Sequence, residues 1–118
     1  MITGAHVIIY SADAEADRAF LLEILGTRSV DAGGGWLILA LPPAEIAVHP
    51  SHDVPRHELY LMCDDIEDTM TDLATKGASF EGGISDEGWG RLATIRLPGG
   101  GLLGVYEPLH PLAAGNSL

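Results

Sequence analysis

Residues 57–77, with the sequence HELYLMCDDIEDTMTDLATKG, contain the strand and helix that decide the fold. Residues 57–63 predict a strand. Residues 65–76 predict a helix, because apolar side chains recur there at helical spacing and Gly77 follows. The recurring side chains are Ile66, Met70, Leu73 and Ala74. A strand that leads directly into a helix is therefore expected in this half of the chain.

A second strand and helix occur earlier in the chain at a fixed distance. Residues 7–10 predict a strand, and residues 14–25 predict a helix that has acidic residues near its start and ends at Gly26. The matching pairs, each 51 residues apart, are His6 with His57, Asp13 with Asp64, and Gly26 with Gly77. This recurrence predicts a duplicated structural unit whose two copies share little sequence identity.

Three further strands are expected after each helix, separated by glycine and proline clusters. The predicted strands cover residues 28–31, 36–41 and 45–49, then residues 79–84, 91–97 and 102–106. We therefore predict an α+β fold built from two βαβββ modules. The expected boundaries are 1–110 for the single domain, 4–50 and 56–108 for its modules, and 109–118 for a tail.

The composition describes a chain that can fold but that repels polyanions. It has 118 residues, of which 47% are hydrophobic, and its formal net charge is −11 with the histidines neutral. A core of ordinary size can form, so intrinsic disorder is not expected. The excess of acidic groups disfavours nucleic acid and anionic membrane surfaces as partners.

The sequence also excludes several kinds of site and location. Cys63 is the single cysteine, so an internal disulfide and a cysteine-based zinc site are excluded. The longest apolar run, residues 36–41, is far shorter than the ~20 residues that span a bilayer. The N-terminus has no basic segment before an apolar stretch, so we expect a soluble, cytoplasmic protein without a signal peptide.

Two motifs near the C-terminus carry a family resemblance. Residues 89–91, WGR, precede residues 96–104, RLPGGGLLG. They are similar to the tryptophan–glycine pair, the Asp-Pro-Asp-Gly-Asn turn and the final Leu-Glu-Leu of the vicinal oxygen chelate superfamily. That superfamily includes glyoxalase I, extradiol dioxygenases and bleomycin-resistance proteins. Together with the paired modules, the resemblance covers residues 4–108, although only the proline and one glycine of the turn are retained.

The resemblance implies a curved mixed sheet that forms a cup, with one helix on the outer face of each module. Where this superfamily binds metal, side chains of the first and fourth strands of each module hold it. His6 and His57 match the first-strand positions, whereas Ala47 and Gly104 match the fourth-strand positions and have no donor group. The implied cofactor is therefore either none or a divalent metal (Fe, Mn, Ni or Zn), with His49 as the third ligand.

Side-chain alternation gives expectations for the lining of the cup. If His6 faces the cup, Tyr10 does so too; if His57 faces it, Leu59 and Leu61 do so too. The candidate ligand-binding residues are His6, Tyr10, Trp36, His49, His57, Trp89, Arg91 and Tyr106. No catalytic residue is assigned.

Three interpretations of the histidines remain open. In the first, His6 and His57 are hydrogen-bonded residues of a cup that binds no metal. In the second, His6, His57 and His49 form a shifted three-histidine metal site. In the third, the imidazoles contact or protonate an organic ligand directly. His110, in the tail, is expected to be inert.

The resemblance implies a glyoxalase-like or dioxygenase-like protein that binds a small organic molecule in the cup. Its enzymatic form would be a metal-dependent lyase or dioxygenase. The alternative is a metal-free, bleomycin-resistance-like binding protein, for which a net charge of −11 would suit a cationic ligand. A small regulatory or scaffolding dimer is a third class. Members of the superfamily usually pair modules between or within subunits, so a homodimer is expected.

Overall fold

The computed structural model describes residues 6–35, 37–45, 47, 50, 52–54 and 56–113, and in them the chain is α+β. The elements in chain order are α1 (Ala14–Leu25), β1 (Ser29–Asp31), β2 (Leu37–Leu39), β3 (Tyr60–Met62), α2 (Ile66–Thr75), β4 (Ser79–Phe80), β5 (Ser85–Glu87), β6 (Gly90–Arg96) and β7 (Leu102–Pro108). No helix within these residues has the length and apolar character needed to cross a membrane.

Both helices begin at an aspartate cap. Asp13 accepts a hydrogen bond from the backbone N–H of Ala16 at 3.2 Å, and α1 ends at Gly26, whose φ of 62° is readily adopted by glycine. Asp65 caps α2 by accepting from the N–H of Asp68 at 3.0 Å. The predicted bounds of α1 are confirmed, and those of α2 are confirmed to within one residue at each end.

The cap positions correct the register of the sequence repeat. Asp13 and Asp65 are 52 residues apart, so the residue equivalent to Asp13 is Asp65 and the predicted match with Asp64 is wrong. The spacing of Gly26 and Gly77, 51 residues, differs from the spacing of the caps because α2 is two residues shorter than α1. The match of His6 with His57 stays a prediction, because residues 6–10 form no strand that could be aligned with β3.

The second half of the chain forms a five-stranded mixed sheet in the order β3-β7-β6-β4, with β5 also paired to β6. β3 runs parallel to β7, and the other pairs are antiparallel. The strand predicted over residues 79–84 is corrected to two short strands, β4 and β5, that pair with different parts of β6. The polar sequence of Ser85–Glu87 gives little strand signal, so only its pairing with β6 reveals β5.

Among its described residues, the first half contains fewer strands than predicted. β1 and β2 form a separate antiparallel pair in which Val30 lies opposite Ile38. Residues 7–10 are not a strand, and Tyr10 is 91% exposed. Their β-branched sequence supplies propensity, but a strand also needs a hydrogen-bonded neighbour. The strand predicted over residues 45–49 is not present at residues 45 and 47, and residues 46, 48 and 49 lie outside the described residues.

One hydrophobic core lies between the helices and one face of the five-stranded sheet. Its buried residues are Ile66, Leu73, Ala93, Ile95, Leu97, Leu103 and Val105. Helix α1 also packs against this core through Phe20, Leu21 and Ile24. Helix α1 therefore contacts β2 of its own half and also closes the core of the second half.

No helix of the described part of the chain covers the other face of this sheet, here called the open face. By alternation and register its residues are Tyr60, Met62, Leu92, Thr94, Leu102, Gly104 and Tyr106. Leu59 and Leu61 pack instead against the core, so the expectation that they face the cup is wrong. Leu59 and Leu61 lie on the core side of β3. Because successive side chains of a strand point to opposite faces, Tyr60 lies on the open face.

Candidate ligand-binding site

Three aromatic rings meet at one end of the open face and are here called the aromatic cluster: Tyr60 on β3, Trp89 in the turn before β6, and Tyr106 on β7. The ring centroids of Trp89 and Tyr106 are 5.0 Å apart. The centroid of Tyr60 lies 6.0 Å from each of those two centroids. The interplanar angles are between 71° and 89°, so every pair is edge-to-face. Such pairs contribute about 0.5–1.5 kcal/mol each beyond the area they bury.

Two glycines make room for these rings. A Cβ atom at Gly104 would lie 2.6 Å from Cε1 of Tyr60 and 3.3 Å from Cδ1 of Leu92. A Cβ atom at Gly90 would lie 2.8 Å from Cδ2 of Tyr106. The absence of side chains at these two positions therefore lets the tyrosine rings lie against the sheet backbone.

Acidic groups surround the phenols of the aromatic cluster. The Tyr60 hydroxyl donates to Oε1 of Glu58 at 3.3 Å, and Arg56 also contacts that carboxylate at 3.4 Å. Burial raises the pKa of Tyr60, and the Glu58 and Glu87 carboxylates raise it further. Burial likewise raises the pKa of Tyr106, with a smaller effect from Glu45. Both phenols are therefore neutral at physiological pH and lie near negative charge.

The segment after β7 continues along the aromatic cluster. The Leu109 N–H donates to the Trp89 carbonyl at 2.9 Å. Nε2 of His110 lies 2.9 Å from the Tyr106 hydroxyl, and Nδ1 lies 2.8 Å from the Pro111 carbonyl oxygen. Sequence reasoning missed His110, because its position four residues after Tyr106 in a predicted tail carried no signal of this contact.

Comparison with solved structures finds long matches at low identity. TnmS3, an antibiotic binding protein from Streptomyces sp. CB03234, is 23% identical, with a TM-score of 0.59 over 92% of this chain and 99% of that one. A glyoxalase/bleomycin resistance protein/dioxygenase superfamily member from Sphaerobacter thermophilus is 19% identical, with a TM-score of 0.57 over 90% and 98%. The fold is that of the vicinal oxygen chelate superfamily.

A third structure with the vicinal oxygen chelate fold extends the comparison to an enzyme. Lactoylglutathione lyase from Agrobacterium tumefaciens is 19% identical, with a TM-score of 0.57 over 89% of this chain and 92% of that one. No protein-family profile matches the sequence, and comparison with curated proteins finds no match. The similarity therefore concerns the fold, and the chemistry has to be argued from the side chains.

The described side chains do not fit the metal centre that the vicinal oxygen chelate fold implies. The fourth-strand position in the second half is Gly104, and the ring of Tyr60 occupies the space where a ligand side chain would begin. Ala47 is exposed and offers no donor atom. Glu58, two residues before Tyr60, is hydrogen-bonded by both Tyr60 and Arg56. Among the described residues, no three His, Cys, Asp or Glu side chains are grouped to hold a metal ion.

The predicted site residues are distributed unevenly over the structure. Trp89 and Tyr106 are brought together in the aromatic cluster. Of the other predicted residues, His6, Tyr10 and His57 are exposed outside the strands, and Trp36 and His49 lie outside the described residues. Sequence reasoning missed Tyr60. The apolar residues at 59, 61 and 63 alternate with it, and this pattern indicates that Tyr60 lies on the face opposite the core.

Arg91 lies on the helix side of the sheet, away from the aromatic cluster. Its guanidinium is 2.9 Å from a Glu67 carboxylate oxygen on α2 and 3.3 Å from an Asp86 oxygen on β5. The hydrogen bond to Glu67 is the largest cause that raises the pKa of Arg91. This position does not favour the prediction that Arg91 binds a ligand in the cup, because the side chain joins α2 to the sheet edge.

Two clefts lie in the first half of the chain. One, of about 480 Å³, is lined by residues of α1 and β2 that include Arg18, Leu22 and Leu37. The other, of about 300 Å³, lies against the β1–β2 pair. The aromatic cluster is instead an open surface, with Tyr60 39% and Trp89 40% exposed. A ligand there would be held by ring faces and not by enclosure.

Proposed function

We propose that this protein binds a small planar organic molecule non-covalently on the aromatic cluster. The observation that carries the proposal is the exposure of Tyr60 and Trp89 at 39% and 40%, although both rings are fixed by edge-to-face contacts with Tyr106. Rigid aromatic surface open to solvent is suited to stacking against a planar ligand. Exposed apolar surface of this kind is a common mark of a binding site.

The charges near the aromatic cluster favour a cationic ligand. Glu58 and Glu87 lie close enough to Tyr60 to raise its pKa, and Glu45 has the same effect on Tyr106. A cation over an aromatic face gains about 0.5–2 kcal/mol. Burial of about 200 Å² of apolar ligand surface contributes about 5 kcal/mol. Ring burial therefore supplies most of the affinity, and the charge supplies selectivity.

The comparisons support a binding role for this fold. One structural neighbour, TnmS3, is an antibiotic binding protein. The alternative proposal, a divalent-metal-dependent lyase or dioxygenase, needs a ligand at the fourth-strand position, where Gly104 has no donor and the ring of Tyr60 fills the space. We therefore favour sequestration of a planar compound over its chemical conversion.

Our proposal includes a homodimer in the cytoplasm. Leu102 on the open face is 59% exposed, and Leu109 beside the aromatic cluster is 62% exposed, so apolar surface is left for a second subunit. The single free thiol of Cys63 is suited to a reducing compartment. Light scattering after size-exclusion chromatography tests the dimer, and fractionation of the tagged protein tests the location.

Fluorescence of Trp89 tests the proposed binding site. The Trp36→Phe variant leaves Trp89 as the single tryptophan. We expect proflavine, a planar cation, to quench this emission saturably, and the anionic anthraquinone-2-sulfonate to bind about tenfold more weakly because of the surrounding carboxylates. In the Tyr10→Phe control, which changes a ring 91% exposed and outside the aromatic cluster, the affinity should stay unchanged. Quenching that does not saturate would contradict the proposal.

A further inference from the structure

We infer that the Tyr106–His110 pair fixes the hydrogen-bonding polarity of the aromatic cluster, so that the site selects a ligand carrying an N–H or O–H donor. The inference rests on the proposed function and names a specificity that the ring contacts alone do not supply. It follows from three polar groups that are hydrogen-bonded one after another: the Tyr106 hydroxyl, the His110 imidazole and the Pro111 carbonyl.

The Pro111 carbonyl sets the tautomer of His110. Its oxygen can only accept a hydrogen bond, and it lies 2.8 Å from Nδ1 of His110. Nδ1 must therefore carry the proton. In the neutral imidazole the other nitrogen, Nε2, is then an acceptor.

The tautomer of His110 in turn sets the direction of the hydroxyl of Tyr106. That hydroxyl lies 2.9 Å from Nε2, which has no proton, so the phenol donates to the imidazole. A hydroxyl has one proton, and this contact uses it. Glu45, the carboxylate near Tyr106, is itself an acceptor and receives the N–H of Ala113. Any further hydrogen bond to the Tyr106 oxygen must therefore be one that this oxygen accepts.

A ligand that stacks on the aromatic cluster meets this oxygen at the edge of the site. A hydroxyl or amino group on the ligand can donate to it. An ether or carbonyl oxygen at the same place would face a second acceptor and lose its hydrogen bond to water. Sites built to bond a polar hydrogen discriminate strongly against analogues that lack it.

Binding of 2-naphthol and 2-methoxynaphthalene to the whole protein at about pH 7.5 tests this specificity. We expect the wild-type protein to bind 2-naphthol about tenfold more tightly. In His110→Phe, the Tyr106 proton is released and can donate to the methoxy oxygen, so the preference should fall to about twofold or less. The Tyr10→Phe control should keep the full preference.

A ligand-free measurement separates this inference from the proposed function. Nitrogen-15 NMR of the histidine rings, assigned with His110→Gln, should show Nδ1 of His110 protonated and Nε2 unprotonated. A proton on Nε2, or equal binding of the two naphthalenes by the wild-type protein, would overturn the inference and leave the aromatic site intact. Failure of both naphthalenes to bind would contradict the proposed function and, with it, this inference.

Discussion

The carboxylate of Asp17 accepts a hydrogen bond from the backbone N–H of Gly99 at 2.7 Å. Asp17 lies on α1 in the first half of the chain, and Gly99 lies in the turn between β6 and β7 in the second half. Asp17 is 4% exposed. This hydrogen bond joins the two halves beside the core that α1 and the five-stranded sheet share.

Loss of the Asp17 carboxylate should destabilise the whole fold. We expect Asp17→Ala to lower the free energy of unfolding by about 1–3 kcal/mol, because the buried Gly99 N–H is left without its acceptor. Asp17→Asn should lose less, since its amide oxygen can still accept. Urea denaturation measures both variants, with the exposed Glu23→Ala of the same helix as control. An Asp17→Ala protein as stable as the control would contradict this role.

A side chain at Gly104 should displace the ring of Tyr60. We expect Gly104→Ala to cost about 1–3 kcal/mol of stability through overpacking, and also to weaken proflavine binding. The matched control is Gly83→Ala, because a Cβ atom there would meet nothing within 4 Å. Denaturant titration and calorimetry check the two effects. Equal behaviour of the two variants would show that the Tyr60 ring does not depend on Gly104.

The raised pKa values of Tyr60 and Tyr106 predict a loss of stability at high pH. Both lie above the ordinary value of 10.0, so between that value and the folded pKa the folded protein holds more protons than the unfolded chain. Stability is therefore fully present below pH 10.0 and falls as the pH rises through the folded pKa. Unfolding titrations should show a smaller loss above pH 10.0 in Tyr60→Phe and Tyr106→Phe than in the wild type.

Ionisation of Cys63 also changes the stability at alkaline pH, so every protein in this comparison must retain Cys63. Burial raises the pKa of its thiol above the ordinary value of 9.0, so its effect on stability has the same sign and begins at lower pH. The comparison is therefore made between proteins that all retain Cys63. A loss of stability above pH 10.0 that is identical in the tyrosine variants and the wild type would contradict the assignment.

Removal of metal should leave ligand binding unchanged. Gly104 and Ala47 supply no donor atom, and the described residues contain no group of metal-binding side chains. We expect the dissociation constant of proflavine to change by less than about twofold after chelator treatment. Elemental analysis of protein purified without chelator measures whether a metal is bound. Stoichiometric Fe, Mn, Ni or Zn that is lost in both His6→Ala and His57→Ala would contradict a metal-independent site.

The sequence predicts the parts of the fold that depend on local signals. α1 matches its predicted bounds because Asp13 and Gly26 mark its two ends. β6 and β7 were located from their apolar runs on either side of a proline–glycine turn. Residues 7–10 failed as a strand because their β-branched composition does not provide a partner strand.

The candidate site was predicted only in part, because it depends on register and on contacts distant in the sequence. Placing His57 toward the cup reverses the faces of β3, so Leu59 and Leu61 are expected where Tyr60 lies. The aromatic type of Trp89, and the alternation that puts Tyr106 on the same face as Gly104, predict these two residues of the site. The contact of His110 with Tyr106 follows from the path of the chain after β7, which no periodicity in the sequence specifies.

Calorimetric titration of proflavine into the wild-type protein and into Trp89→Ala tests the central claim most directly. Trp89 is the most solvent-exposed ring of the aromatic cluster, and Ala removes its stacking surface. We expect one binding site per chain in the wild type and an affinity about tenfold lower in Trp89→Ala, the loss of about 1.4 kcal/mol that one ring contact accounts for. Equal affinity of the two proteins, or no binding by the wild type, would contradict a ligand site on the aromatic cluster.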